Sequence, residues 1–127
     1  SSLDPVLVPY VDAYRRFLTE SGQAWTAIET ALEDRTLGYV GRLDRANATR
    51  IVDIKTGTPH WSVAVQVAAY RRCLPEFFRL KQYVLELRDD GTYRYTPTSD
   101  ISGLSDREAE RLWLSALHVA QARKAHP

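Results

Sequence analysis

Glu29, Asp44 and Asp53 lie on stretches that alternate apolar and polar residues, and Lys55 follows Asp53 two positions on, within Val52-Asp53-Ile54-Lys55-Thr56-Gly57. Alternate residues of a strand share a face, so Asp53 and Lys55 point the same way, with Ile51, Val52 and Ile54 as apolar surroundings. An antiparallel return through Ala46-Asn47-Ala48 brings Asp44 near Asp53. The period of two aims Glu29 at the same face as a third oxygen donor; Glu33 has the same parity and is the alternative. Carboxylates a few ångströms apart raise one another's pKa and destabilise the fold unless a proton or a cation compensates them. Hard oxygen donors without a cysteine set or a histidine pair favour Mg²⁺, with Mn²⁺ able to substitute, over Zn²⁺. The chemistry suited to such a site is in-line displacement at phosphorus by an activated water. Lys55 would sit beside the water or the phosphorus and stabilise negative charge. For Asp53 and Lys55 taken alone, an ordinary same-face salt bridge is the plain alternative.

The elements that must position these residues are legible from periodicity. Asp4-Pro5 followed by Val6, Leu7, Tyr10, Val11, Tyr14, Phe17 and Leu18, with Gly22 at the stop, predicts an amphipathic helix. Residues 24–33, 37–45 and 49–56 read as three strands in a meander. Gly57-Thr58-Pro59 breaks the pattern. From Trp61 the apolar spacing becomes helical through Val63, Val67, Tyr70 and Leu74, with Pro75 near the end. Residues 81–88 and 92–96 read as a hairpin about Asp89-Asp90-Gly91, and Ser105-Asp106-Arg107-Glu108 reads as a capping box opening a final helix to about Lys124. The expected fold is a single α/β domain over residues 1–127, in the order helix, three strands, helix, two strands, helix.

The series Glu29, Gly41-Arg42-Leu43-Asp44, Asp53-Ile54-Lys55-Thr56-Gly57 and Gln66 with Tyr70 resembles the PD-(D/E)XK nuclease superfamily, in particular its RecB-like and phage-exonuclease branch. The resemblance covers residues 24–88 and implies a restriction-endonuclease-like core, a central mixed β-sheet flanked by helices. It implies that Asp44, Asp53 and the Ile54 carbonyl bind the metal, that Glu29 supplies a further ligand or water contact, and that Lys55 acts on the nucleophile. Gln66 and Tyr70, one helical turn apart, are similar to the family's QxxxY motif, which touches the substrate backbone and supports the site; a helix face covering the sheet is the alternative. The implied activity is a Mg²⁺-dependent deoxyribonuclease, an exonuclease of phage or mobile-element recombination and repair. The rival expectation is a DNA-binding or recombination-partner module on the same fold that does not cut. The chain departs from several relatives in having no histidine before His60, and from the iron–sulfur relatives in having one cysteine, Cys73, where four are needed. It has no Walker motif, so a helicase or recombinase partner would be a separate protein.

Arg42 and Arg45 flank Asp44, and Arg71-Arg72 follow Tyr70, so a basic rim that holds phosphate is expected around the acidic residues, with solvated surface charge as the alternative. Thr56 and Gly57 read as turn and close-approach residues, with phosphate contact a further role for Thr56. His60 and Trp61 follow the Asp53–Lys55 strand, where a loop could stack on a base, although a capping or core role suits Trp61 better. Trp25 and Trp113 are expected in the core.

Composition sets the frame. The chain has 127 residues, 44% hydrophobic and 26% charged, which fits one globular domain and excludes collagen-like and natively disordered classes. A net charge of +1 does not announce nucleic acid by bulk electrostatics. Only Lys55, Lys81 and Lys124 are lysines, so arginine supplies the rest of the 17 basic residues; its planar fork suits phosphate, and a GC-rich coding sequence gives the same bias. No apolar run approaches the ~18–20 residues of a membrane span, and the amino end Ser1-Ser2-Leu3-Asp4-Pro5 lacks signal-peptide character, so a cytoplasmic protein without a membrane partner is expected. DNA is the expected partner. The helix from Ser105 is the expected interface of any homo-oligomer.

Overall fold

A computed structural model describes residues 4–126. Ser1, Ser2 and Leu3 of the amino end discussed above, and Pro127, lie outside the described residues. The Asp4 carboxylate accepts the Val6 N–H at 3.0 Å and caps a short 3₁₀ turn, Pro5–Leu7. Helix α1, Val8–Ser21, then runs to Gly22, whose φ of 65° is the left-handed geometry that ends a helix. The single helix expected here thus begins as a tighter turn.

Five strands follow the expected plan: β1 Ala27–Asp34, β2 Tyr39–Ala46, β3 Arg50–Thr56, β4 Lys81–Leu87 and β5 Tyr93–Pro97. They lie side by side in chain order, antiparallel except for β3 and β4, which are parallel, so the sheet is mixed. Parallel neighbours need a crossover, supplied by helix α2, Val63–Arg72. The β2–β3 turn is organised by Asn47: its side-chain carbonyl accepts the Thr49 and Arg50 N–H groups, and its amide donates to the Ala24 carbonyl, all at 3.0 Å.

The sheet is covered on both faces. On one, Ala13 and Phe17 of α1 pack on Val52, Leu85 and Leu87, with Tyr93 and Tyr95. On the other, Val63 and Val67 of α2 pack on Leu32, Leu43, Ala46, Ile51 and Val84. Helix α3, Thr98–Ser102, and helix α4, Asp106–Ala125, follow, and α4 lies on α2 where Ala64, Ala68 and Ala109 permit close approach. The Ser105–Glu108 capping box is formed in both directions. Neither α3 nor the 3₁₀ turn Phe77–Arg79 was expected, since both are too short to display an apolar period. Strand β1 starts three residues later than its sequence pattern, because Trp25 stacks on Phe17 instead of joining the ladder. Trp25 and Trp113 are half-buried rather than enclosed.

Candidate functional site

The site lies where the sheet forks. β2 and β3 pair only at Arg45–Val52 and Ala46–Ile51, while β3 pairs with β4 along its whole length, Arg50 through Thr56. Past Arg45 the ladder stops and a side chain takes its place: the Ile54 N–H donates to Asp44 Oδ2 at 2.7 Å. Alternation along β2 breaks at the same point. Leu43 and Ala46, three residues apart, both face α2, whereas Arg45 faces α1 and donates to the Tyr14 hydroxyl at 2.9 Å. This break leaves Asp44 at the mouth of the fork beside Asp53.

From Asp53 a chain of polar contacts crosses to α2. Lys55 Nζ is 3.2 Å from Asp53 Oδ2 and donates to Gln66 Oε1 at 3.2 Å, and Gln66 Nε2 donates to the Tyr70 hydroxyl at 3.1 Å. Gln66 and Tyr70 reach one another because they are four residues apart on one helix. Tyr70 in turn lies over Gly41: a Cβ at position 41 would stand 2.7 Å from the Tyr70 ring. Gly41 is therefore a packing requirement of the site.

Asp53 is only 5% exposed. Burial pushes its carboxyl up to about 7, the adjacent Asp44 adds to the rise through charge and hydrogen bonding, and Lys55 offsets part of it. Asp53 Oδ2 has the Lys55 ammonium as a neighbour but accepts no hydrogen bond. An adjoining carboxylate pair with one ammonium and a buried oxygen lacking a hydrogen bond is a donor set suited to a hard divalent cation. Mg²⁺ needs only one or two protein carboxylates when phosphate and water complete its shell.

The structure corrects several expectations. Glu29 is exposed, and among the described residues no group of three or more His, Cys, Asp or Glu side chains is placed to hold a metal ion. The carboxylates form a pair, Asp44 and Asp53, and not a trio. Glu29 falls opposite Asp44 in the β1–β2 register, but its φ of 44° is left-handed and interrupts the pairing between Ile28–Arg45 and Thr30–Leu43. The alternative Glu33 is also exposed, near Arg35. The expected basic rim is largely dispersed. Arg45 is turned to α1; Arg71 is buried against the Leu80 carbonyl, and Arg72 is bound to Glu110 of α4. Arg42 and Thr56 remain exposed on β2 and at the end of β3. His60 Nδ1 lies 2.7 Å from the Ser62 hydroxyl, and Trp61 beside it is 49% exposed rather than buried.

Periodicity did not reveal Glu86, a buried carboxylate on β4 whose parallel register sets it beside Lys55. Its signal was a charge inside the otherwise apolar run Val84-Leu85-Glu86-Leu87. Fold and site together define an α/β domain with a five-stranded mixed sheet, helices on both faces, and an acidic pair with one lysine at a strand fork. No family model matches the chain, and no curated protein matches it. Among the described residues no helix is long and apolar enough to cross a membrane.

Proposed function

We propose that this domain is a divalent-metal-dependent nuclease of restriction-endonuclease-like topology, hydrolysing phosphodiester bonds of DNA. The observation that carries the reading is the continuous contact chain Asp53–Lys55–Gln66–Tyr70 beside Asp44 at the fork of β2 and β3. Asp44, Asp53 and the Ile54 carbonyl are the groups that would hold the metal. When bound, Mg²⁺ supplies an acidified water and neutralises charge that develops on the phosphate oxygens. Lys55 stabilises that same charge from the protein side, where a preorganised cation is worth more than in water. Gln66 fixes the Lys55 ammonium, and Tyr70, seated on Gly41, fixes Gln66. Exonuclease action in phage or mobile-element recombination and repair rests on the motif resemblance.

The test is incubation of labelled linear and circular DNA with Mg²⁺ or Mn²⁺, beside a Lys55→Ala control. Cleavage that requires both metal and Lys55 is the expected result, and attack on the linear form alone would mark an exonuclease. One observation favours the second reading, a module that binds DNA without cutting: Glu29 stays outside the site, which leaves two carboxylates. DNA retention in Mg²⁺ with no breakage of either topology would select that reading.

A further inference from the structure

Glu86 is 7% exposed, and nothing in the proposed site uses it. Parallel pairing sets it beside Lys55 of β3, and antiparallel pairing sets it opposite Arg94 of β5. Ile54, Leu85, Leu87, Tyr93 and Tyr95 pack toward α1, so strand alternation places Lys55, Glu86 and Arg94 together on the α2 face. Just past the strand, Arg88 Nε donates to Glu86 Oε2 at 3.0 Å. Arg88 is held in place by its backbone N–H, which donates to the Thr92 carbonyl, while Gly57 after the Lys55-Thr56 pair bonds the neighbouring Leu87 carbonyl at 3.0 Å. The Arg88 side chain is 43% exposed, and Arg94 is exposed and makes no ion pair among the described residues.

Burying a carboxylate is unfavourable, and an apolar residue would serve packing at position 86 better. What the carboxylate contributes is orientation. A guanidinium held by its Nε edge turns its two terminal nitrogens outward, the fork that matches a phosphate. Neighbouring strands lie about 4.8 Å apart, so Lys55, Glu86 and Arg94 form a row across β3, β4 and β5, and Arg88, two residues past Glu86, adds its cation beside that row toward the β5 edge.

We propose that Arg88, oriented by Glu86, and Arg94 bind backbone phosphates of a nucleic-acid strand that passes the acidic pair and leaves over β4 and β5. The inference rests on the nucleic-acid reading of the site and adds the path and its positioning residues. A labelled 20-nucleotide single strand and its duplex, titrated by fluorescence anisotropy across a salt series in EDTA and in Mg²⁺, provide the test, with cleavage rates measured in parallel. Arg88→Ala is expected to weaken binding about 10-fold and to flatten the salt dependence by about one ion, with kcat held within about 3-fold. Arg94→Ala should do the same to a lesser degree; being exposed, it keeps the test intact if Arg88→Ala fails to fold. Arg88→Lys should restore part of the affinity, and Glu86→Gln should weaken it although no cation is removed. Unchanged affinity and salt slope in Arg88→Ala and Arg94→Ala, while the wild type still binds or cuts, would overturn the track and leave the nuclease reading standing. A wild type that binds without cutting, with affinity lost in both variants, supports the track and removes the nuclease reading. A wild type that neither binds nor cuts removes both.

Discussion

At the residue scale, Lys55 joins the acidic pair to α2, and Asp53 carries the electrostatic tension of the fork. Lys55→Ala should lower cleavage about 10²- to 10³-fold, as for other single charge-stabilising groups, and leave the chain folded but with a lower melting temperature above about pH 7, where the ionised Asp53 loses the ammonium that offsets its burial. Single-turnover rates with a melting curve check both halves. Asp53 gives a prediction that needs no activity. Its carboxyl is raised from 3.8 to about 7 in the folded chain, so between these values the native state holds a proton the unfolded state has lost. Stability is therefore favoured below the unfolded value and is lost as pH rises through about 7. Without metal, the urea midpoint should fall across that window, and Asp53→Asn should flatten the fall. If the ionised pair holds Mg²⁺ as proposed, added Mg²⁺ should raise the midpoint more at pH above about 7 than below it, and not in Asp53→Asn. Equal Mg²⁺ effects at both ends of the window would argue against Asp53 as a ligand.

At the element scale, the fork depends on α2 lying close over β2. Gly41→Ala puts a Cβ 2.7 Å from the Tyr70 ring, so the ring or the helix must move. The expected cost is about 1–3 kcal/mol of stability. The larger consequence is loss of the Gln66–Tyr70 hydrogen bond and with it the support of Lys55, so cleavage should fall further than stability alone accounts for. Denaturant midpoints set against cleavage rates separate the two. The capping box of α4 offers a control far in role from the site. Ser105→Ala removes the acceptor of the Glu108 N–H and should cost about 1 kcal/mol, read as a lower melting temperature with metal response intact.

At the scale of the whole molecule, α1 covers one face of the sheet and α2, backed by α4, covers the other. Phe17 is fully buried and meets Tyr93, Tyr95 and Trp25, so Phe17→Ala should cost about 3–5 kcal/mol, a large share of the stability of a small domain. Calorimetric unfolding would show whether both faces melt together, as one transition across a shared sheet implies.

Local pattern alone determined the helix stop at Gly22, the succession of helices and strands along the chain, the turn at Asn47, the α4 capping box, and the pairing of Asp53 with Lys55. Each depends on a few consecutive residues and on the periods of strand and helix. Long-range register was decided only in three dimensions. The break in alternation at Asp44 turned Arg45 to α1, and the left-handed Glu29 left its strand's pairing. Contacts between α2 and α4 drew in Arg71 and Arg72. The parallel pairing of β3 with β4 set Glu86 next to Lys55, across a crossover of more than twenty residues. A sequence read two residues at a time shows which face a side chain prefers, but which strand lies beside it, and where a ladder opens, is set by packing of the entire sheet.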